Sequence, residues 1–211
     1  MRPVILQDTH TTLPPRLCAG VEHYAAAWVC SSSVQDWTRP FDKREKATHR
    51  FDIADTRGQL SLTVPIVKPQ TSRCRWDEIQ ISTHGAWWDV HRVALESAYG
   101  RTPYFEFYID RFLPMLTVGV ETRFPLLRDL ALAWDREIRS ILSIANPAEI
   151  PAGVWDVPAA RSFPLPPYRQ IRADRLGFIP ALSILDLIFN LGPESQFYLN
   201  DLALRMMGQK S

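Results

Sequence analysis

The sequence is short of the residues that build the common nucleotide and metal sites. Its nine glycines are widely spaced, and the closest pairs, such as Gly85 and Gly100, are fifteen residues apart. This spacing excludes the glycine-rich phosphate loops of dinucleotide-binding and nucleoside-triphosphate-binding proteins. No Gly-x-Ser-x-Gly motif occurs, and no two histidines stand three or four residues apart. The three cysteines, Cys18, Cys30 and Cys74, form no close pair, so we predict no metal site.

The net charge is small, and long apolar runs are few. A net charge of +1 provides no general attraction to nucleic acid or to an anionic membrane. The longest apolar stretch, GFIPALSILDLIFNLGP at 177–193, carries Asp186 near its middle, and a bilayer span needs about 20 apolar residues. The amino terminus reaches Asp8 before an apolar run of signal-peptide length. We therefore expect no nucleic-acid partner, no membrane span and, with scattered cysteines, a cytoplasmic location.

Length and composition indicate one folded domain over residues 1–211. The chain is 46% hydrophobic and 22% charged, as in ordinary globular proteins. We predict a sheet-rich part at 1–85 and a helical part at 86–211, with a proline-rich loop at 146–167. The fold class is α/β, with α+β as the alternative. The loop holds six prolines and could be an ordered lid or a plain connector.

The sheet-rich part contains several strand patterns. PVILQ at 3–7 and YAAAWVCS at 24–31 are predicted to be parallel neighbours, joined by a short crossover helix within PPRLCAGVEHY. HRFDIAD and QLSLTVPIV flank Thr56-Arg57-Gly58, which predicts a hairpin with one buried face. A further strand, EIQIS at 78–82, completes a small mixed sheet, and YRQIR is a candidate edge strand.

Four helices are predicted in the second half. The first follows the apolar spacing of WWDVHRVALESAY and ends at Gly100. The second begins with Thr102 as N-cap and Pro103 at its first position. The third runs from about Pro125 to Ala145, and the last from Pro193 to about Met207.

The apolar stretch at 177–193 contains a polar stripe. Ser183, Asp186 and Asn190 share one face of a helix, since residues at i, i+3 and i+7 are neighbours there. One interpretation is a capping box, in which Ser183 and Asp186 satisfy each other's backbone amides and Gly192 ends the helix. The other interpretation is a functional site. Capping does not account for Asn190.

Two further features could serve chemistry or structure. His91 lies on an aromatic-rich helix, where a histidine is a structural residue or a general base. The run RPFDKREKATHR, residues 39–50, is a solvated loop or an anion site, in which arginine would give bidentate geometry.

Several motifs together resemble the WbqC-like protein family. They are GQLSLTVPIVK, WWDVHRVALESAYGRTPYFEFY, PYRQ and GFIPALSILDLIFNLGPESQFYL, in that order. The resemblance carries the family's motif residues onto Trp87, His91, Tyr99, Tyr168, Gln170 and the run 182–190. The sequence keeps Arg50 but departs from the family at Thr48 and His49, and at Ala181, where asparagine is common.

The resemblance implies a participant in bacterial surface polysaccharide or O-antigen biosynthesis. The leading hypothesis is a transferase that moves an acyl or aminoacyl group onto an amino or nucleotide-linked sugar. The alternative is a non-catalytic binding or scaffold protein of the same pathway, with a biosynthetic enzyme as partner. A nucleotidyl-transfer fold is a third possibility. No cofactor is assigned. The predicted catalytic residues are His91 and Asp186, and the predicted substrate-binding residues are Arg50, Tyr99, Tyr168, Gln170, Ser183 and Asn190.

Overall fold

The amino-terminal unit pairs two parallel strands around a helix. In a computed structural model, which describes residues 6–69, 71, 73–145 and 164–208, strand β1 is Leu6–Leu13, helix α1 is Val21–Val29 and strand β2 is Cys30–Gln35. The parallel pairing of the first two strands is confirmed. The first strand extends to Leu13, well beyond the predicted 3–7, of which residues 3–5 lie outside the described range, and the crossover helix begins only at Val21, late in the predicted PPRLCAGVEHY segment. The prediction of a strand at 24–31 is wrong, because its alanine-rich half is helical and the strand begins only at Cys30.

The predicted hairpin is confirmed. Strand β3, Arg50–Asp55, pairs antiparallel with β4, Gly58–Thr63, in a register that places Arg50 opposite Thr63. The further strand expected at 78–82 is replaced by a 3-10 turn, Trp76–Glu78, and isolated bridges. The Arg75 amide donates to the Glu78 carboxylate at 2.9 Å, which favours the turn. Among the described residues the strands therefore form two separate two-stranded sheets.

The helical second half is also confirmed. Helix α2 has the predicted bounds, Trp87–Tyr99. Helix α3 begins at Phe105, later than predicted, because the Thr102 hydroxyl donates to the Tyr99 carbonyl and does not cap the new helix. The remaining helices are α4 Val120–Arg123, α5 Leu127–Leu142, α6 Ala173–Leu176, α7 Ile184–Leu191 and α8 Ser195–Gly208.

Helix α7 lies at the centre of the core. Its apolar residues from Ile184 to Phe189 are fully buried, and Phe189 packs its ring against those of Tyr99, Phe105 and Phe112. Helix α1 packs on α8, and α2 packs on the hairpin. No helix within the described ranges is long and apolar enough to cross a membrane. The α/β class with a helical carboxy-terminal half thus agrees with the prediction.

Two other predictions concern the proline-rich loop and the YRQIR segment. The proline-rich loop lies outside the described residues, except for 164–167, which have no regular structure. The YRQIR segment is not an edge strand. It has no regular structure and leads into a turn, and side chains from α7 bond to the Gln170 side chain and to the Ile171 amide.

Candidate functional site

The polar stripe of α7 does not form the predicted capping box. Ser183 occupies the N-cap position with extended backbone, but its side chain makes no capping hydrogen bond. At the start of the helix the Asp186 amide donates to the Ser183 backbone carbonyl. The Ser183 amide donates to the backbone carbonyl of Asp52 in the hairpin. The capping interpretation of Asp186 is therefore wrong, since its carboxylate has other partners.

Asp186 binds the segment that precedes α6. Its Oδ2 accepts hydrogen bonds from the Tyr168 hydroxyl at 2.7 Å and from Gln170 Nε2 at 2.9 Å. Gln170 also exchanges two hydrogen bonds of 2.9 Å with the backbone of Ile179. Asp186 is fully buried, so these donors replace the water that a carboxylate requires.

Asn190 also binds the segment that precedes α6. Its Oδ1 accepts from the Ile171 amide at 2.9 Å, and its Nδ2 donates to the Asp186 carbonyl one turn earlier at 2.7 Å. A segment without regular structure makes no ladder hydrogen bonds, so side chains supply partners for its backbone. The structure thus brings together Tyr168, Gln170, Asp186 and Asn190, and together they fix the backbone of 168–171.

Tyr99 approaches this carboxylate from α2. Its hydroxyl accepts from the Ala54 amide at 3.1 Å, and it also interacts with Asp186. Asp186 Oδ1 has no donor at ordinary hydrogen-bond distance within the described ranges, so Tyr99 is an electrostatic neighbour of this carboxylate. Burial raises the pKa of Asp186, while hydrogen bonds from the surrounding donors act in the opposite direction. Burial, and next the charge of Asp186, raise the pKa values of Tyr99 and Tyr168, so both hydroxyls stay protonated.

A second group of predicted residues meets at Thr63, where β4 ends. The Thr63 hydroxyl accepts from Arg50 Nε at 2.9 Å, and the Thr63 carbonyl lies 3.2 Å from His91 Nε2. A carbonyl can only accept, so Nε2 carries the imidazole proton and Nδ1 keeps a lone pair. Burial lowers the pKa of His91 to about 4, which makes the ring neutral at neutral pH.

Arg50 is a half-buried cation without an acidic partner. No carboxylate forms an ion pair with it in the part of the chain that the structure describes. The neighbouring His49 places Nδ1 3.0 Å from the Val64 carbonyl, and burial lowers the pKa of His49. An unpaired guanidinium next to a neutral histidine can accept an anionic ligand.

The two groups are separate parts of the molecule joined by α2. His91 and Tyr99 are eight residues apart on this helix, which corresponds to about 12 Å along its axis. The rings in contact with His91 are those of Phe51 and Trp87, at 5.7 and 5.3 Å. The structure therefore places His91 with Arg50, and Asp186 with Tyr99. Ser183 contributes a buried side chain at the start of α7.

Sequence reasoning missed Thr63, which holds both Arg50 and His91. One of its two contacts uses the backbone carbonyl, and no side-chain motif reveals such a contact. The hairpin turn and the alternating pattern of β4 together predict a register, and that register places Arg50 opposite Thr63. This register is the sequence signal from which Thr63 could have been identified.

A surface cavity of about 460 Å³ lies elsewhere, beyond β4. Its lining residues are Val67, Lys68, Pro69, Thr71, Arg73, Cys74, Glu78, Ile79 and Gln80. None of the predicted site residues is among them. Within the described ranges, no group of three or more metal-binding side chains is assembled.

Comparison with known families gives one match. The sequence model of the WbqC-like protein family matches residues 39–154, which is more than half of the chain. The chain belongs to the WbqC-like protein family. Comparisons with curated proteins and with solved structures give no match. In this WbqC-like chain the matched range holds Arg50, Thr63, His91 and Tyr99, whereas Asp186 and its partners on 168–171 lie beyond it.

Proposed function

We propose that this WbqC-like protein is a cytoplasmic transferase of bacterial surface polysaccharide biosynthesis. It moves an acyl or aminoacyl group onto an amino sugar or a nucleotide-linked amino sugar. The pathway rests on the family, and the reaction class rests on the Thr63 group. The observation that carries the proposal is that one residue, Thr63, fixes both an unpaired guanidinium and a neutral imidazole.

The chemistry assigns one task to each side chain. Arg50 binds an anionic group of the substrate, since a guanidinium presents several donors to phosphate or carboxylate oxygens. His91 is only 3% exposed, so in this proposal substrate binding at Arg50 uncovers the ring. His91 Nδ1 then accepts a hydrogen bond from the sugar amine and takes its proton as the nitrogen attacks the acyl carbonyl. The acyl–sulfur or acyl–oxygen bond of the donor then breaks, and the leaving group takes up a proton. A histidine with a pKa of about 4 is a weak base, so we expect about 10²-fold from it, at the lower end of the usual range.

Asp186 has a different task in this proposal. Because it is fully buried and its Oδ2 already accepts two hydrogen bonds, we assign it as a positioning residue. Together with Asn190 it holds residues 168–171 against α7. Tyr168 and Gln170, predicted to bind substrate, would then act by shaping this segment.

Mass spectrometry can test the transferase directly. Purified protein is incubated with amino sugars, free and nucleotide-linked, and with acyl and aminoacyl thioesters. We expect the mass of one acyl group to be added to the sugar. Arg50→Gln should raise KM for the anionic substrate, and His91→Gln should lower kcat about 10²-fold.

Matched controls are available for both variants. Arg57 lies exposed in the hairpin turn and His84 lies exposed before α2, so Arg57→Gln and His84→Gln remove the same side-chain types elsewhere. Both control variants should retain full activity. Absence of product with every donor and acceptor, together with absence of saturable sugar binding, would refute the proposal.

A specific observation favours the alternative, a non-catalytic scaffold. Large apolar side chains are exposed on the helical half, including Phe107 at 76% and Val118 at 78%, with Val90 and Val93 on one side of α2. Exposed apolar residues can mark a protein interface when they are contiguous. Stoichiometric capture of a biosynthetic enzyme, lost in Val90→Asp/Phe107→Asp but retained in Arg50→Gln, would support the scaffold role.

A further inference from the structure

The surface cavity beyond β4 lies within a loop of chain that is closed at its base. The Val67 amide donates to the Gln80 carbonyl at 2.9 Å, and the Ser82 amide donates to the Pro65 carbonyl at 2.8 Å. The residues that line the cavity belong to this loop, and the cavity volume is about 460 Å³. Small-molecule sites commonly have volumes of about 300–1,000 Å³, so this cavity is large enough to hold one ligand.

The side of the cavity formed by residues 74–80 is attached to the segment before β3. The Phe41 amide donates to the Cys74 carbonyl at 2.8 Å, and the Trp76 amide donates to the Arg39 carbonyl at 3.1 Å. Trp76 is fully buried, and its ring packs on that of Phe41 at 4.6 Å. Because these contacts fix the backbone of this side, a ligand that binds there orders little additional chain.

The cavity lining carries more positive than negative charge. Lys68 and Arg73 both line the cavity and are exposed, and neither forms an ion pair with a carboxylate within the described residues. The acid among the lining residues is Glu78. Its Oε2 accepts from the Arg75 amide at 2.9 Å, and its carboxylate also interacts with the Cys74 thiol. Glu78 therefore already has partners in the loop itself.

The neighbouring acid, Asp77, does not neutralise these cations either. Its two carboxylate oxygens accept from Nε and Nη2 of Arg75, each at 3.0 Å, in a bidentate ion pair. Lys68 and Arg73 thus remain available for an anionic ligand. A guanidinium matches the oxygens of a phosphate or carboxylate with paired donors, and an ammonium adds a point charge.

Part of the cavity lining is apolar. Val67, Pro69 and Ile79 line the same cavity as the two cations, and the Val67 side chain is 48% exposed. Covering apolar surface with the apolar portion of a ligand removes it from water, which favours binding. A bare inorganic anion would leave this part of the lining uncovered.

We propose that the cavity binds a small organic oxyanion. Its anionic group contacts Lys68 and Arg73, and its apolar portion packs on Val67 and Ile79. Phosphate monoesters and carboxylates share this chemistry. The inference is independent of the transferase proposal, because neither Arg50 nor His91 lines the cavity.

Calorimetric titration with phenyl phosphate and with phenylacetate tests the inference and separates the two sources. The variant Lys68→Gln/Arg73→Gln removes both cavity cations. The control Arg57→Gln/Arg101→Gln removes two exposed arginines that do not line the cavity and changes the net charge equally. We expect saturable binding by the wild type, about tenfold weaker binding by the cavity variant and unchanged binding by the control, because only the cavity variant loses charge-assisted hydrogen bonds. The tighter of the two anions identifies the source, and either order supports the inference.

The apolar part of the lining has its own test. Inorganic phosphate should bind the wild type more weakly than phenyl phosphate, and Val67→Ser should reduce this difference. Val118→Ser, which changes an exposed valine outside the cavity, should leave it unchanged.

Cys74 provides a second readout within the cavity. It lines the cavity and is partly exposed, whereas Cys18 and Cys30 are buried. Partial burial, and next Glu78, raise the pKa of the Cys74 thiol, so alkylation by iodoacetamide is followed at alkaline pH. Phenyl phosphate or phenylacetate, whichever binds, should slow alkylation of Cys74 in the wild type and in the control, and have no effect in Lys68→Gln/Arg73→Gln.

Several results would overturn the inference. They are no saturable binding of either anion by the wild type, equal weakening in the cavity and control variants, binding that leaves Cys74 unprotected, and inorganic phosphate binding as tightly as phenyl phosphate. Acyl transfer to a sugar without anion binding in the cavity would overturn this inference and leave the transferase proposal intact. Binding in the cavity without any transfer product would do the reverse.

Discussion

Replacing His91 with glutamine should make the protein less sensitive to acid. In the folded protein, burial lowers the pKa of His91 from 6.5 to about 4. The unfolded chain therefore binds a proton between these pH values that the folded protein does not bind. The stability that depends on a neutral His91 is fully present above pH 6.5 and is lost as the pH falls to 4.

The magnitude follows from the size of the shift. A pKa difference of about 2.5 corresponds to about 3 kcal/mol at pH 4, since each pKa unit is worth about 1.4 kcal/mol. His91 is only 3% exposed, so solvent screening does not reduce this value much. Glutamine has no proton to gain in this range and can still donate to the Thr63 carbonyl.

Urea unfolding at a series of pH values provides the assay. The free energy of unfolding of His91→Gln, minus that of the wild type, should rise by about 3 kcal/mol between pH 7 and pH 4. Burial also lowers the pKa of His23, to about 3, but His23 is present in both proteins and cancels in the difference. His84→Gln is the control for loss of an exposed histidine. A difference that stays flat across this range for His91→Gln would refute the assignment of a buried, neutral ring.

Three other substitutions test the buried framework by thermal and urea unfolding. Asp186→Asn should cost about 1–3 kcal/mol, because an amide cannot accept from both side-chain donors without leaving its own donors buried. Gly192→Ala should be strongly destabilising, since a Cβ would lie 2.4 Å from the Tyr104 ring at a φ of +54°. Arg139→Met should cost about 3–5 kcal/mol, because it leaves the buried Asp135 carboxylate without its 2.6 Å ion pair.

Each of these substitutions has a matched control. Asp174→Asn changes an exposed carboxylate and should be nearly neutral. Gly85→Ala meets the same problem of positive φ, here +76°, but no atom lies within 4 Å of the new Cβ. Arg205→Met removes an exposed ion pair, worth about 0.5 kcal/mol. If a control destabilises as much as its buried counterpart, the corresponding contact does not explain the loss.

The sequence predicts the elements of this fold better than their assembly. The periodicity of WWDVHRVALESAY predicts α2 to the residue, and the alternation around Gly58 predicts the hairpin. The strand prediction for YAAAWVCS is wrong because a short apolar run fits a helix or a strand, and its alanines favour the helix that forms. The prediction of a single mixed sheet differs from the two sheets observed, because nothing local in a sequence says which strands pair.

For the candidate site, too, the sequence predicts individual residues better than the contacts between them. The polar stripe on α7 was found from spacing, but the local capping interpretation failed because Asp186 turns to residues 168–170, sixteen to eighteen positions earlier. Asn190, which capping did not explain, bonds the amide of Ile171. The sequence indicates Arg50 and His91 as separate features, because their common contact with Thr63 depends on strand register and on a backbone carbonyl. Such long-range contacts leave no local pattern.

The most direct test of the site at Thr63 is an NMR titration with a nucleotide-linked amino sugar. Isotope-labelled protein allows the amides of Thr63 and Val64 and the ring of His91 to be followed together. We predict saturable shifts at these positions, which disappear in Arg50→Gln and persist in Arg57→Gln. Saturable shifts confined to other parts of the molecule, or equal shifts in Arg50→Gln, would contradict the assignment of this site.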